Sequence, residues 1–146
     1  MPTALVRKVD ELFARYAESH RHPTNTAIHW VCVPLITWSI LAFFWAISPS
    51  VALVAMALAL AWYVWLSPSL ALGMAIVLAA MSGPLMLVDY HLMRVAMIVF
   101  VLAWIGQFIG HQIEGRKPSF LEDLTFLLVG PAWLAGAVYR RLGLRY

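Results

Sequence analysis

Charged side chains are almost absent from the middle of this sequence. Across residues 27–113 only Asp89 and Arg94 carry a formal charge, in a chain of 146 residues that is 63% hydrophobic and has a mean hydropathy of +0.83. Soluble domains carry about 25% charged residues, so the composition predicts an integral membrane protein. No stretch alternates with a period of two, which excludes a transmembrane β-barrel and leaves helices to pair every backbone group inside lipid.

Other absences narrow the class further. Cys32 is the single cysteine, so no disulfide forms within the chain, and its place in an apolar run predicts a small core residue. No basic run with interleaved aromatic residues is present, so we expect membrane lipid around the protein and no nucleic acid partner. The N-terminal region carries charges throughout, so we expect no cleaved signal peptide.

Long apolar segments are what the sequence has in abundance. A hydrocarbon core of about 30 Å requires about 20 apolar residues per helix. The sequence therefore predicts an all-α fold, a polytopic membrane helical bundle with about four transmembrane helices, in a single membrane domain of residues 1–146. The predicted spans are residues 27–47, 51–66, 70–88 and 95–113 within residues 27–113, with a polar turn over residues 89–94.

A charged amphipathic helix is predicted before the first span. Residues 3–21 place apolar side chains at helical spacing and charges elsewhere, so that Tyr16 and His20 share the inward face. Pro23 is predicted to stop this helix, since proline cannot continue one. The three polar residues that follow are good N-cap candidates for the first span.

An interrupted helix is predicted after the last span. Ser119 and Glu122 have the spacing of a capping box, which predicts a helix over residues 119–142. Gly130 and Pro131 are expected to interrupt it. We expect this segment to pack along the bundle or to lie at the membrane interface.

Positive charge is distributed unevenly about the predicted spans. Four spans place both termini on one side of the membrane, and that side carries nine of the ten lysine and arginine residues. Positively charged loops remain in the cytoplasm. We therefore expect both termini, together with His20, His22, His29 and His111, on the cytoplasmic side, and His91 at the opposite face.

Two distant segments are expected to meet at that cytoplasmic end. In the fourth span, Trp104, Gln107, His111 and Glu114 share one stripe, which should face the bundle interior. A GxxxG motif within the same span allows a neighbouring helix to approach closely, and His29 begins the first span at the same depth. This predicts a constellation of three histidines, with a carboxylate or an amide nearby: His20, His29 and His111, with Glu114 or Asn25.

Histidines in such a constellation indicate a metal site. Neutral imidazoles suit iron, zinc, copper and nickel, and histidines with an open coordination position and a nearby carboxylate are typical of non-haem Fe(II) oxygen chemistry. Two other interpretations stay open from the residues alone. One is a non-catalytic membrane transport or lipid-binding protein whose histidines relay protons or brace helices. The other is a bis-histidine haem protein with His29 and His111 as axial ligands.

The two histidine segments together resemble the 2-hydroxy fatty acid dioxygenases, a family of small membrane proteins. The resemblance covers nearly the whole chain, including LLVGPAW at Leu127 to Trp133. The matching residues are Tyr16, His20, Asn25, His29 and Pro34, then Gln107 to His111, Glu114 and Pro118. Cys32 departs from the pattern, because a small residue, often glycine, is expected there.

The resemblance implies an Fe(II)-dependent enzyme of fatty acid α-oxidation. Such an enzyme uses molecular oxygen to cleave a 2-hydroxy fatty acid between its first and second carbons, which leaves a fatty acid one carbon shorter. It implies that three histidines bind the iron and that the catalytic site adds an amide and a carboxylate: His20, His29, His111, Asn25 and Glu114. The protein would lie in the inner membrane of a bacterium or the endoplasmic reticulum of a eukaryote.

Overall fold

The computed structural model describes residues 7–87 and 90–146. Every regular element within those ranges is a helix, which confirms the all-α prediction. The elements in chain order are α1 (Lys8–Ala17), α2 (Pro23–Ile47), α3 (Pro49–Leu66), α4 (Pro68–Leu85), α5 (Leu92–Glu114), a short 3₁₀ helix (Ser119–Leu121) and α6 (Phe126–Arg141).

Four of these helices, α2 to α5, are long and apolar enough to cross a membrane. Their outward surface carries large apolar side chains such as Leu58, Leu72 and Ile98, which are exposed in the isolated chain. Contiguous apolar surface of this extent suits hydrocarbon rather than water. The predicted polytopic helical bundle with about four spans is therefore confirmed.

Proline begins three of the spanning helices. Each proline occupies the first helical turn, where its missing N–H leaves no intrahelical bond unmade, and the side chain of the preceding residue accepts a hydrogen bond from the helix start. Pro23 therefore opens α2, and the prediction that it ends the first helix was wrong. The cap and proline pairs are His22–Pro23, Ser48–Pro49 and Ser67–Pro68.

Helix α1 is shorter than the predicted helix over residues 3–21. It ends at Ala17, and the N–H groups of Ser19 and His20 turn to the carbonyls three residues earlier. His20 consequently lies in the turn between α1 and α2 rather than on a helix face. Residues 3–6 of the prediction lie outside the described ranges.

The C-terminal segment also differs from its prediction. The prediction of a capping box at Ser119 and Glu122 is wrong. The start of the 3₁₀ helix has no side-chain cap, and the Ser119 hydroxyl is instead hydrogen-bonded to that of Ser19 at 2.5 Å. Helix α6 begins only at Phe126 and continues through Pro131 without a break. It packs against α1, α2 and α4.

The connection between the third and fourth spans lies earlier in the chain than the polar turn predicted over residues 89–94. Helix α4 ends at Leu85, and α5 begins at Leu92, so that Arg94 is already helical. His91 is the exposed N-cap residue of α5. Asp89 lies outside the described residues.

The most extensive helix contact is between α2 and α5, which run in opposite directions. A Cβ atom added at Gly106 would lie 2.7 Å from the Cys32 sulfur, and one at Gly110 would overlap the Asn25 side-chain oxygen. The GxxxG motif therefore allows α2 to approach α5 closely, as predicted. This pairing sets the start of α2 beside the end of α5.

Candidate metal centre

Three buried imidazoles converge where the start of α2 meets the end of α5. Ring centroids are 4.1 Å apart for His20 and His29, 5.0 Å for His20 and His111, and 4.9 Å for His29 and His111. One ring nitrogen of each lies within 4.8 Å of the others. The three residues are 5%, 1% and 4% exposed, respectively. The structure thus brings together the three histidines that the sequence assigned to a metal site.

Backbone carbonyls fix two of these rings. Nδ1 of His20 lies 2.6 Å from the Tyr16 carbonyl oxygen, and Nδ1 of His29 lies 2.9 Å from that of Asn25. A carbonyl only accepts hydrogen bonds, so each Nδ1 carries the proton and each Nε2 presents a lone pair. Metal-binding histidines are commonly oriented in this way.

Two ring nitrogens of the cluster are buried without a hydrogen-bond partner in the described chain, namely Nε2 of His20 and Nδ1 of His111. An unsatisfied buried polar group costs about 1–3 kcal/mol. A bound metal ion would accept both lone pairs and remove that cost. The donor set of three imidazoles fits a divalent first-row ion and leaves further coordination positions open.

The electrostatic setting keeps His20 in the form that binds metal. Burial lowers the pKa of His20 to about 4, and the neighbouring His111 adds to the shift, while the hydrogen bond to Tyr16 and the charge of Glu114 oppose it. The imidazole is therefore neutral at pH 7. Only neutral imidazole has a lone pair free for a metal.

Glu114 and Asn25 lie beside the cluster in a hydrogen-bond network. The Glu114 carboxylate accepts from the backbone N–H of Arg21 at 3.0 Å, from that of His22 at 2.7 Å and from Asn25 Nδ2 at 3.2 Å. Asn25 Nδ2 also donates to the Ser19 carbonyl at 3.0 Å. The network ties the α1–α2 turn to the end of α5, and the catalytic roles of Glu114 and Asn25 stay predictions.

The remaining two histidines lie outside the cluster. His22 is exposed, and its Nδ1 accepts the backbone N–H of Thr24 at 3.2 Å as the N-cap of α2. His91 begins α5, and twenty residues of helix separate it from His111 by about 30 Å. Neither belongs to the constellation predicted from the sequence, and both lie apart from it in the structure.

A cavity of about 350 Å³ has the histidine cluster in its wall. The wall beyond the cluster is mainly apolar and is built from helices α2 to α6 and the segment before α6. From His29 to Phe44, both in the wall, α2 rises about 22 Å, which exceeds the ~15 Å thickness of one leaflet's hydrocarbon. The cavity therefore has the length and character to hold one acyl chain. Apolar lining residues include Ile36, Phe44, Met56, Leu78 and Phe126.

Aromatic packing against the cluster was not assigned from sequence. The Tyr16 ring stacks on His20 with centroids 4.1 Å apart and planes at 13°, and the Trp133 ring lies 5.7 Å from His20. Tyr16 precedes His20 by four residues and Trp133 ends the LLVGPAW segment, so both were visible within motifs. Spacing along the chain does not reveal that α6 brings these two rings together.

The sequence matches a known protein family. A family model described as 2-hydroxy-palmitic acid dioxygenase Mpo1-like matches residues 6–142. The matched region includes the three histidines and the six α-helices found among the described residues. Neither the curated proteins nor the solved structures provide a match.

Proposed function

Because the chain belongs to the 2-hydroxy-palmitic acid dioxygenase Mpo1-like family, we propose that it is an Fe(II)-dependent membrane dioxygenase that shortens 2-hydroxy fatty acids by one carbon. The observation that carries the proposal is the convergence of His20, His29 and His111 in the wall of an apolar cavity long enough for an acyl chain. The family description supports the reaction and the substrate. The geometry supports a metal ion and a lipid chain in the same site.

The overall reaction balances with molecular oxygen as the only oxidant. Cleavage of the bond between the first and second carbons of a 2-hydroxy acid gives the shortened acid, carbon dioxide and water. One O₂ accepts the four electrons released. When bound, Fe(II) would supply the means to bring O₂ and the substrate into reaction.

The chain's own residues hold the site together and provide a place for the acyl chain. Three neutral imidazoles would hold the metal through their unprotonated nitrogens. The Glu114–Asn25 network keeps the α1–α2 turn, and with it His20, against the end of α5. The apolar wall takes the acyl chain, so that the carboxylate end of the substrate comes to lie beside the histidines.

The proposal places the site at the cytoplasmic side of the membrane, together with both termini. Its support is the charge distribution, since nine of the ten lysine and arginine residues flank that end of the bundle. The membrane would be the inner membrane in a bacterium or the endoplasmic reticulum in a eukaryote. Reporter fusions placing residue 94 on the same side as the N-terminus would contradict this arrangement.

Alanine substitution of the histidines tests the proposed site. Protein purified without chelator should contain about one iron per chain, as expected for a single three-histidine site, and His20→Ala, His29→Ala or His111→Ala should abolish both iron retention and shortening of 2-hydroxyhexadecanoate. The matched control is His91→Ala at the far end of α5, which should keep both. Full activity in His111→Ala would refute the site.

The geometry favours a non-haem centre over a haem. A haem between His29 and His111 would need a flat space between their rings, yet the His20 ring centroid lies only 4.1 Å from that of His29 and 5.0 Å from that of His111. We therefore expect the visible spectrum of the purified protein to lack a Soret band. A purely lipid-binding protein would leave a bound 2-hydroxy acid unshortened.

A further inference from the structure

Four side-chain hydroxyls line the cavity, and three of them are already committed to protein partners. The exception in the described part of the chain is Tyr16, whose hydroxyl makes no hydrogen bond. The committed pairs are Thr37 with the Val33 carbonyl at 2.8 Å, Tyr63 with the Leu128 carbonyl at 2.8 Å, and Ser119 with the Ser19 hydroxyl at 2.5 Å.

The Tyr16 side chain is held firmly next to the histidines. The residue is 5% exposed, its ring stacks on His20, and its centroid lies 5.3 Å from that of Trp133. A Cβ atom added at Gly130 would lie 2.9 Å from the Tyr16 hydroxyl. The hydroxyl thus occupies space that only glycine leaves free, at a cavity wall to which Gly130 also belongs.

The cavity offers a fatty acid head group no permanently charged basic side chain in the described part of the chain. Neither lysine nor arginine is among its lining residues in the described chain. A carboxylate placed there is costly unless its oxygens accept hydrogen bonds. A phenol O–H donated to a carboxylate is charge-assisted and stronger than a bond between neutral groups. The unpaired hydroxyl is therefore suited to an anionic acceptor.

We propose that the Tyr16 hydroxyl donates a hydrogen bond to the carboxylate of the bound fatty acid and so positions the head group beside His20, His29 and His111. This inference rests on the proposed function. Tyr16 acts as a neutral donor, and no bond of the hydroxyl is made or broken. The stacked ring fixes the direction in which the hydroxyl points.

Binding measured without oxygen tests this role apart from turnover. Purified full-length protein carrying its metal is titrated with 2-hydroxyhexadecanoate and with its methyl ester. Tyr16→Phe keeps the ring, so its thermal midpoint and metal content should match the parent. Its affinity for the acid should fall about 10- to 100-fold, equivalent to about 1.4–2.8 kcal/mol, as expected for a hydrogen bond to a charged group. Its affinity for the ester should fall by a smaller factor, about 2- to 10-fold, because a hydrogen bond to the neutral ester carbonyl is weaker.

Two further variants make the test specific. Gly130→Ala keeps the tyrosine but displaces its hydroxyl, so it should show the same loss selective for the acid. Tyr139→Phe is the matched control, because the Tyr139 hydroxyl donates to the Ser69 carbonyl at 2.6 Å outside the cavity. It should bind the acid and the ester as the parent does.

The outcomes separate this inference from the function on which it rests. If the parent binds the acid and Tyr16→Phe binds it equally well, the inference alone is overturned. An equal loss for the acid and the ester would also overturn it, since the hydroxyl would then not act on the carboxylate. If the parent binds no 2-hydroxy acid, the proposed function fails and the inference fails with it.

Discussion

Replacing Glu114 by glutamine should loosen the metal site without touching a proposed ligand. The carboxylate accepts three hydrogen bonds, at 3.0, 2.7 and 3.2 Å, from the α1–α2 turn and Asn25. In Glu114→Gln, the remaining side-chain oxygen still accepts two of these bonds, but the acceptor is now neutral. The amide nitrogen faces the backbone N–H of Arg21, and because both groups are donors, that bond is lost.

The expected cost follows from the bonds and their exposure. Hydrogen bonds to charged groups contribute about 1.5–3 kcal/mol and neutral ones about 0.5–1.5. One lost bond and two weakened bonds amount to about 4 kcal/mol when fully buried, and because Glu114 is half-buried, solvent compensation reduces this to about 2 kcal/mol. Because the docked turn carries His20, we expect metal affinity to fall about 30-fold, within the range seen when groups supporting ligands are removed.

Competition with a chelator of known affinity measures this loss directly. The parent, Glu114→Gln and the control Glu122→Gln are compared, since Glu122 is exposed and its side chain takes no part in these hydrogen bonds. The control should bind metal as the parent does. Parent-like metal affinity in Glu114→Gln would refute the claim that this carboxylate holds the α1–α2 turn in place.

Three other predictions concern packing, pH and the cavity. Gly110→Ala should destabilise the protein in thermal unfolding by about 1–3 kcal/mol because the new methyl overlaps the Asn25 oxygen, whereas Gly83→Ala, with open space around it, should not. In metal-free protein, the unfolded chain binds more protons than the folded one between the unfolded pKa of His20, 6.5, and its folded pKa of about 4. The contribution of His20 to the free energy of unfolding should therefore be complete above pH 6.5, fall by about 3 kcal/mol as the pH drops to about 4 and level off below that. Unfolding measured at pH 7.5 and at pH 5 should depend less on pH in His20→Gln than in the parent. An unchanged pH dependence in the variant would contradict this prediction. Met56→Trp should fill the far part of the cavity and shift the preference for chain length by about tenfold or more toward shorter 2-hydroxy acids, measured by competition between two lengths.

Hydropathy and charge predict much of this fold because the membrane imposes long-range order on a short chain. Each span must cross the bilayer, so the count of spans decides which ends meet. That logic places His29 and His111 at one end and His91 at the other, and the structure agrees. The GxxxG motif supplies the helix pairing that closes the gap between them.

Local chemistry at the helix ends is where sequence reasoning failed. Pro23 can end one helix or open the next, and the choice depends on His22 serving as the cap. Ser119 has the spacing of a capping box, but its hydroxyl instead pairs with Ser19, one hundred residues away. Contacts between distant segments override such local patterns, and a single sequence does not reveal them.

The candidate site shows the same division. Composition and topology bring the histidines together, because each lies at a predictable depth in the bundle. The hydrogen-bond partners of the ring nitrogens depend on where α1 ends. The sequence does not reveal that end, because the apolar periodicity continues through His20 although the helix does not. The stacking of Tyr16 on His20 and the approach of Trp133 arise from the docking of α6, for which the sequence offers only a motif.

Oxygen uptake by the purified, iron-loaded protein tests the central claim most directly. With 2-hydroxyhexadecanoate as substrate, the account predicts one O₂ consumed for each pentadecanoate formed, with no uptake in His111→Ala. Oxygen uptake that is absent in iron-loaded parent protein, or that leaves the acyl chain at its original length, would contradict it.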